Sequence, residues 1–318
     1  MRNLRRSDAG YSALLSAGVS RAVAAFVQCT FSAVRSQIWS IVLAAGAGRR
    51  LAGLTGDVPK QFFRPSARES LLGMTLARMA PLTSPDRTVI IVDESHRQLL
   101  AECEIPQHTK VLFQPADRGT ATGVLMALMP VLAEAPEDVV VLTPSDHAVA
   151  DIAAFRHGLM DAIRFARQEK AVTLFGVDSS EASPDLGWII PDNRDAPLAR
   201  VAGFVEKPDR ALAERLHSVG AVWNTMVVVA RAAAVRSLYE DVLPELATVF
   251  NTALRLDDND ARERFLARTY PTLPPRDFSR DLLERARPLF VYTWPATIGW
   301  SDLGTPERFN HWLKAGAA

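Results

Sequence analysis

Short apolar runs alternate with segments of helical spacing from Ile38 onward. Ile38–Ala44 is an apolar run ended by glycines, which predicts a buried strand. The alternation predicts βαβ units, and therefore an α/β fold with a mostly parallel sheet covered by helices. In the first half of the chain, the predicted strands are Ile38–Ala44, Thr88–Val92, Lys110–Phe113 and Val139–Leu142, and the predicted helices are Leu71–Met79, Ala121–Leu132 and Ile152–Gln168.

The second half is more mixed, with strands punctuated by Gly and Pro and a run of helices after them. It contains no internal repeat and no low-complexity linker, which indicates one continuous domain over residues 38–318. The predicted strands are Val172–Val177, Trp188–Pro191, Val201–Val205, Val222–Ala230 and Leu289–Trp294, and the predicted helices are Ala211–Leu216, Ala232–Tyr239, Leu243–Leu256, Ala261–Thr269 and Thr305–Leu313.

Residues 1–37 form a predicted N-terminal extension with almost no acidic residue. Three arginines precede an apolar stretch, as in a signal peptide, but Arg21 interrupts the stretch and no clean cleavage site follows. The stretch is also too short to span a membrane. Ala13–Phe26 could form an amphipathic helix on a membrane or another subunit. The lack of an interfacial aromatic face favours a loose extension or an upstream start codon.

Composition narrows the function only slightly. Apolar residues make up 48% of the 318 residues, which is typical of a globular protein. Lys+Arg and Asp+Glu both total 36, and this zero net charge argues against a general nucleic-acid binder. Cys29 and Cys103 form neither a disulfide framework nor a zinc pattern, which is compatible with a reducing cytoplasm. The oligomeric state stays open, and a homo-oligomer is compatible with the sequence.

A glycine-bearing loop with basic residues is the sharpest chemical feature. The run LAAGAGRRL leads from the first strand into Arg49 and Arg50, and PKQF follows with Lys60. Glycines let backbone N–H groups approach an anion, and the cations neutralise a polyphosphate. The loop therefore indicates a site for a nucleoside triphosphate and its departing pyrophosphate.

The spacing of this loop excludes two common alternatives. No Gly-Lys-Ser/Thr follows, so the loop is not a Walker A motif. Arg50-Leu51 stand where the third glycine of a GxGxxG motif belongs. A dinucleotide-dependent oxidoreductase would also need an acidic ribose partner about twenty residues on. Asp57 comes too early for that role, and Glu69 lies at a predicted helix start.

Eight segments, in order, resemble the nucleotidyltransferases that join a sugar 1-phosphate to a nucleoside triphosphate, and most of all the mannose-1-phosphate guanylyltransferases. The segments are LAAGAGRRL, PKQF, QPADRGTATG, LTPSDH, GWI, FVEKPD, WNT and GWSDLGTPERF. The resemblance implies a Rossmann-like three-layer fold of the GT-A type with a mostly parallel mixed central sheet. It also implies direct attack of a sugar 1-phosphate oxygen on the nucleotide α-phosphate, with pyrophosphate leaving.

The resemblance assigns the charged residues of the reaction. Arg50 would lie along the triphosphate and Lys60 near the α-phosphate, as the catalytic cations. Asp146 follows the strand Val139–Leu142, where a carboxylate is well placed for Mg²⁺. With Asp302, it matches the metal ligands of the family, although either aspartate alone could be a cap or turn residue. His147 is expected to be structural, because no His/Cys cluster accompanies it.

The remaining predicted contacts fall into a nucleotide group and a sugar-phosphate group. Thr120 could also be an N-cap. The family usually has Asn and Pro at the positions of Gly119 and Thr122, and Ser-Gly at the positions of Thr225 and Met226. These departures leave the base and the sugar open, and Asp277–Asp281 receives no role. The nucleotide group is Ala44, Ala45, Gly46, Gly48, Gln114, Gly119 and Thr120, and the sugar-phosphate group is Gly187, Glu206, Lys207 and Asn224.

GTP and mannose 1-phosphate are the substrates that the resemblance implies first. Glucose 1-phosphate with UTP, ATP or dTTP is the alternative within the same enzyme class. A non-catalytic sugar-nucleotide sensor on the same fold is a further alternative, but such a sensor need not retain Arg50, Lys60, Asp146 and Asp302. A second, isomerase domain is not expected, because the sequence ends soon after the last motif.

Overall fold

A computed structural model describes residues 37–48, 51–56, 58–65 and 69–316. The predicted N-terminal extension, including the possible helix Ala13–Phe26, lies outside the described residues apart from Gln37. Within the described ranges, every helix is too short or too polar to cross a bilayer.

The strands form one sheet of nine in the described part of the chain, with the order β3-β2-β1-β4-β8-β5-β9-β7-β6. The predicted strands are confirmed, with ends shifted by up to three residues. The strands are β1 Ile38–Ala44, β2 Thr88–Asp93, β3 Lys110–Gln114, β4 Val139–Pro144, β5 Thr173–Asp178, β6 Gly187–Pro191, β7 Leu198–Glu206, β8 Val222–Arg231 and β9 Phe290–Trp294.

The predicted helices are confirmed as well, and the short helix Arg97–Ala101 and several single turns were not predicted. A π-helical turn at Phe278–Leu283 is one of these additions. The α-helices are α1 Ala52–Thr55, α2 Leu71–Met79, α3 Arg97–Ala101, α4 Gly119–Glu134, α5 Ile152–Glu169, α6 Arg210–Ser218, α7 Ala232–Val242, α8 Pro244–Leu254, α9 Asn259–Thr269 and α10 Pro306–Gly316.

The sheet is mixed, as the sequence indicates. Strands β3, β2, β1 and β4 pair in parallel, whereas β8 runs antiparallel to its neighbours β4, β5 and β6. Strand β7 is also antiparallel to β9 and β6. Because β8 runs opposite to β4, the beginning of β8 lies at the same edge of the sheet as the end of β4.

Side chains along each strand point alternately to the two faces of the sheet, and helices cover both faces, which gives three layers. Trp39 and Ile41 of β1 pack into a core with helices α4, α7 and α8 on one face. Ile38 of β1 packs with Phe155 and Leu159 of α5 on the other face. Successive strand residues point to opposite faces, so an apolar run with little alternation buries both faces of the sheet. This arrangement leaves the carboxyl ends of the parallel strands as the place for a ligand.

Candidate active site

The glycine loop after β1 is fastened by a buried glutamine. The side-chain amide of Gln61 donates to the carbonyl oxygens of Ala44 and Gly46, both at 2.9 Å. Gly48 has a φ of +65°, and a Cβ there would lie 2.8 Å from the backbone nitrogen of Lys60. The loop is therefore folded back onto the turn that carries Lys60, with Gly46 exposed above it.

Lys60 joins the two predicted metal-binding aspartates. Its Nζ lies 2.8 Å from Asp146 Oδ2 and donates to the backbone carbonyl of Asp302 at 2.5 Å. The Lys60 side chain is 10% exposed and that of Asp146 27%. The structure thus brings together three of the four charged residues that the sequence assigns to the reaction, while Arg50 lies outside the described residues.

A backbone bridge holds the two aspartates side by side. Ala148 and Ser301 exchange two backbone hydrogen bonds of 2.9 and 3.1 Å, although strands β5 to β9 lie between them in the sequence. Asp146 follows β4, and the neighbouring Ser145 is fixed to the carbonyl of Leu43 by its N–H and its hydroxyl. The two metal-ligand candidates therefore occupy adjacent segments at the carboxyl edge of the sheet.

Arg308 completes this group. Its Nε lies 2.9 Å from Asp302 Oδ1, and the same oxygen accepts the N–H of Gly304 at 3.0 Å. Arg308 also lies 3.7 Å from Glu181. We call Lys60, Asp146, Asp302 and Arg308 the charge cluster. Each of its buried charges has an opposite charge beside it, which offsets the cost of removing ions from water.

The electrostatics of the charge cluster keep Asp146 ionised and His147 neutral. Burial alone would raise the pKa of Asp146, but the positive charge of Lys60 together with His147 holds that pKa below its ordinary value. Burial lowers the pKa of His147 to about 4. The His147 ring packs edge-on against Trp300 at 5.3 Å between centroids. These contacts support the predicted structural role of His147.

Two carboxylate oxygens of the charge cluster fit a hard cation. Asp146 Oδ1 lies 3.8 Å from Nε2 of the neutral His147 ring, and Asp302 Oδ2 lies 3.5 Å from Arg308 Nη2. No group of three potential metal ligands exists among the described residues. Two carboxylates are nonetheless the donor set that Mg²⁺ uses when phosphate oxygens and water complete its shell.

The predicted base contacts lie at the end of β3 and the start of α4. Gln114 is the last residue of β3 and is buried, and Gly119 opens α4 with a φ of +78°. The possible N-cap role of Thr120 is wrong, because Arg118 is the cap residue and Thr120 already lies inside the helix. The hydroxyl of Thr120 instead accepts the backbone N–H of Phe278 at 2.8 Å.

Three of the predicted sugar-phosphate contacts converge at the β6–β7 pairing. Gly187 pairs with Glu206, and a Cβ on Gly187 would lie 2.4 Å from Glu206 Oε2 and 3.3 Å from the Cβ of Asn224. We call Gly187, Glu206 and Asn224 the glutamate pocket. The Glu206 side chain is only 7% exposed, so it is not the solvated strand end that its position before Lys207 would suggest.

Lys207 and Met226 flank the glutamate pocket in unusual backbone conformations. Lys207 has a φ of +49° and pairs with the carboxylate of Glu206. Met226 has a φ of +59°, and its N–H donates to Asn224 Oδ1 at 3.1 Å. This left-handed region favours glycine, the residue that the family has at the position of Met226. The departure noted in the sequence thus lies at a strained position beside Asn224.

Sequence reasoning missed four residues that support the site: Gln61, Tyr270, Glu284 and Arg308. Gln61 and Arg308 lie inside quoted motifs, so their motif membership was a usable signal. Glu284 accepts the backbone N–H of Glu206 at 2.5 Å, and Tyr270 donates to Gln114 at 3.1 Å. Neither of these two contacts leaves a local pattern, because each joins residues distant in the sequence.

The segment Arg276–Glu284 connects the turn from Gln114 to Thr120, which we call the base loop, with the glutamate pocket. The carbonyl of Arg276 accepts the N–H of Ala121 at 2.9 Å, close to Gly119. At its other end, the segment reaches Glu206 through Glu284. Asp277–Asp281, which received no role from the sequence, therefore belongs to the wall between two groups of predicted contacts.

Comparison with known protein families adds an independent observation. The family model described as nucleotidyl transferase matches residues 39–315. The chain belongs to the nucleotidyl transferase family. The matched range contains β1 to β9 from Trp39 onward and both clusters of predicted site residues, so the candidate site lies within the family domain.

Individual relatives agree with this assignment. The alginate biosynthesis protein AlgA of Pseudomonas aeruginosa is 28% identical over 278 residues, covering 83% of this chain and 56% of that protein. Mannose-1-phosphate guanylyltransferase of Escherichia coli K12 is 28% identical over 290 residues, covering 85% and 59%. The chain therefore spans less than two thirds of the length of these relatives.

Similarity to solved structures supports the predicted fold. The crystal structure described as mannose-1-phosphate geranyltransferase from Thermus thermophilus has a TM-score of 0.75 and 29% identity, covering 84% of this chain and 76% of that chain. A UDP-glucose pyrophosphorylase complexed with UDP-glucose has a TM-score of 0.55 at 11% identity, and this likeness concerns the fold alone. The predicted Rossmann-like fold is therefore confirmed.

Proposed function

We propose that this protein transfers a nucleotidyl group from a nucleoside triphosphate to a sugar 1-phosphate, releasing pyrophosphate and an NDP-sugar. The observation that carries the proposal is the contact of Lys60 with both Asp146 and Asp302 at the carboxyl edge of the sheet. A nearly buried cation that contacts the carboxylate of Asp146 and the backbone of Asp302, beside a glycine loop, has the charge that a reacting polyphosphate needs.

The reaction is a direct displacement at the α-phosphate. An oxygen of the sugar phosphate forms a bond to the α-phosphorus as the bond to the pyrophosphate oxygen breaks. Lys60 would stabilise negative charge on the transferring group, and backbone N–H groups of the glycine loop would bind the leaving phosphates. Asp146 and Asp302 would hold Mg²⁺, which supplies positive charge to the phosphate oxygens when bound. Arg50, in the same loop, is proposed to lie along the triphosphate.

The acceptor sugar is proposed to bind the glutamate pocket. The nearly buried carboxylate of Glu206 can accept hydroxyl hydrogens of a sugar, and the Asn224 amide lies beside it. Lys207, whose side chain is 45% exposed, can contact the sugar phosphate from the rim. These roles agree with the positions that the family resemblance assigns.

GTP and mannose 1-phosphate are the proposed substrate pair. The E. coli relative is named mannose-1-phosphate guanylyltransferase, and two other groups of relatives are named for alginate and xanthan biosynthesis. We therefore infer that the NDP-sugar feeds polysaccharide synthesis, in the cytoplasm where nucleoside triphosphates are available. Another sugar and base pair is the alternative, because Met226 and Gly119 depart from the family pattern.

A substrate panel tests the proposal. The full-length protein is incubated with Mg²⁺, each of GTP, UTP, ATP, dTTP and CTP, and a set of sugar 1-phosphates, and pyrophosphate release is measured. The expected result is release with GTP and mannose 1-phosphate and its loss in Asp146→Asn. If no pair released pyrophosphate while the protein remained folded by circular dichroism, the proposed activity would be wrong.

A further inference from the structure

Gln114 is held in one orientation by a buried tyrosine. The hydroxyl of Tyr270 donates to Gln114 Oε1 at 3.1 Å, and both residues are almost fully buried. Gly123 of α4 lies against the same oxygen, since a Cβ there would be 2.9 Å from Oε1. The oxygen side of the amide is therefore enclosed by α4 and by the turn that follows α9.

Tyr270 is itself fixed and acts as a donor. Its ring packs edge-on against Phe250 at 6.4 Å, and Arg118 of the base loop donates to the carbonyl of the next residue, Pro271. Burial and the nearby carboxylates of Asp117 and Asp93 raise the pKa of Tyr270, so its hydroxyl stays protonated at neutral pH. A protonated, buried hydroxyl needs an acceptor, and Gln114 Oε1 is that acceptor.

With Oε1 bonded to Tyr270 and closed off by α4, Gln114 presents its Nε2 hydrogens to a ligand. An unconstrained glutamine can turn its amide to present either a donor or an acceptor, and thereby accept different bases. Within the described part of the chain, the side-chain hydrogen bond of Gln114 is the one that Oε1 accepts from Tyr270. The donor side of the amide thus remains for a group that enters at the end of β3.

We propose that Tyr270 is a positioning residue that fixes Gln114 as a hydrogen-bond donor and thereby selects a nucleotide whose base presents a carbonyl oxygen. Guanine, uracil and thymine carry such an oxygen, whereas adenine and cytosine present an exocyclic amino group at the equivalent position. An amino group facing the Nε2 hydrogens would leave two donors opposed. This inference rests on the proposed function and adds the base class to it.

Tyr270→Phe tests the inference because it removes the hydroxyl and keeps the ring. The measured quantity is the ratio of kcat/KM for GTP to kcat/KM for ATP, with the sugar phosphate held constant. Because a net hydrogen bond is worth about 1 kcal/mol, the ratio is expected to fall by about fivefold or more. The KM for the sugar phosphate should not change. An unchanged ratio, or a wild-type preference for ATP or CTP, would overturn the inference.

Two controls separate positioning from loss of structure. Tyr239 is also fully buried, and its hydroxyl donates to the carbonyl of Ala121 at 2.7 Å. Tyr239→Phe should therefore lower thermal stability without changing the base ratio. In a Gln114→Leu background, Tyr270→Phe should have no further effect on the ratio, because its effect passes through Gln114. A further change in that background would contradict the positioning role.

Nucleotide binding provides a readout that does not depend on turnover. Isothermal titration of the full-length protein with GTP and with ATP, each with Mg²⁺ and without sugar phosphate, gives a Kd for each nucleotide. The ratio of the Kd for ATP to the Kd for GTP reports the same base preference. If no substrate pair reacts but the Kd ratio still falls in Tyr270→Phe, the proposed function fails and the inference stands. If turnover occurs but neither ratio responds, the inference fails alone.

Discussion

The charge cluster and the glutamate pocket are built in different ways. In the charge cluster, Lys60 contacts the carbonyl of Asp302, a residue 242 positions away, and every buried ion has an oppositely charged neighbour. In the glutamate pocket, Gly187 and Glu206 come from neighbouring paired strands, and the absence of a side chain on Gly187 makes the room. One part depends on charge balance and the other on shape.

This difference predicts how each part responds to substitution. Removing one charge from the charge cluster leaves a buried partner unbalanced and changes the field at the reacting phosphates. Adding a single methyl group to the glutamate pocket displaces a carboxylate without changing any charge. The first kind of change should reduce the chemical step, whereas the second should act on sugar binding.

The largest effect is expected for Asp302→Asn. The substitution keeps the shape of the side chain and its acceptor for Gly304 N–H, but it removes the charge that faces Arg308 and that is proposed to hold Mg²⁺. We expect kcat for pyrophosphate release to fall by about a hundredfold or more. Asp192→Asn is the matched control, since Asp192 also accepts a backbone N–H at 3.0 Å but lies on an exposed turn. Retention of full activity would remove Asp302 from the mechanism.

An intermediate effect is expected for Gly187→Ala. The new Cβ would lie 2.4 Å from Glu206 Oε2, so the carboxylate must move. Because displacement by about 1 Å can cost a hundredfold, we expect kcat/KM for the sugar phosphate to fall by roughly 10- to 100-fold. The KM for the nucleotide should stay the same.

Gly203→Ala provides the comparison for that result. Gly203 lies on the partner strand of the same hairpin, and a Cβ there would meet the side chain of Ile190 at 3.0 Å. Steady-state kinetics with each substrate varied in turn should show near-normal sugar binding in Gly203→Ala. Equal losses in both variants would indicate general damage to the hairpin.

The smallest effect is expected for Lys207→Gln. Lys207 is half exposed at the rim, where solvent screens its charge, so we expect KM for the sugar phosphate to rise by about fivefold with kcat nearly unchanged. Lys170→Gln is a suitable control, because Lys170 is an exposed lysine with the same left-handed backbone, at a φ of +51°. A change in kcat as large as the change in KM would assign Lys207 to the charge cluster instead.

The sequence predicted the elements well and the contacts between them less well. Ile38–Ala44 and Leu71–Met79 were predicted to the residue, because apolar periodicity and flanking glycine or serine mark their ends. The position of Asp146 after β4 followed from the same pattern. Lys60, Asp146 and Asp302 were named through family motifs, and the structure brings those three together.

The contacts that could not be predicted are tertiary contacts, which leave no local pattern in the sequence. Thr120 has the residue type of an N-cap, but Arg118 occupies the cap position. The Thr120 hydroxyl instead accepts a hydrogen bond from the backbone N–H of Phe278. Tyr270 and Gln114 are 156 residues apart, so no spacing rule could pair them. The burial of Glu206 likewise follows from the β6–β7 pairing and not from the sequence around it.

The hydrogen bond from Lys60 to Asp302 also has a consequence for how the protein acquires activity. During synthesis, the glycine loop and β1 emerge long before Asp302, and contacts between distant segments are slow to form because loop closure costs entropy. The backbone bridge between Ala148 and Ser301 also joins distant segments and holds the second carboxylate beside the first. Catalytic competence should therefore arise late in folding, so a partly folded chain would not yet consume nucleoside triphosphate.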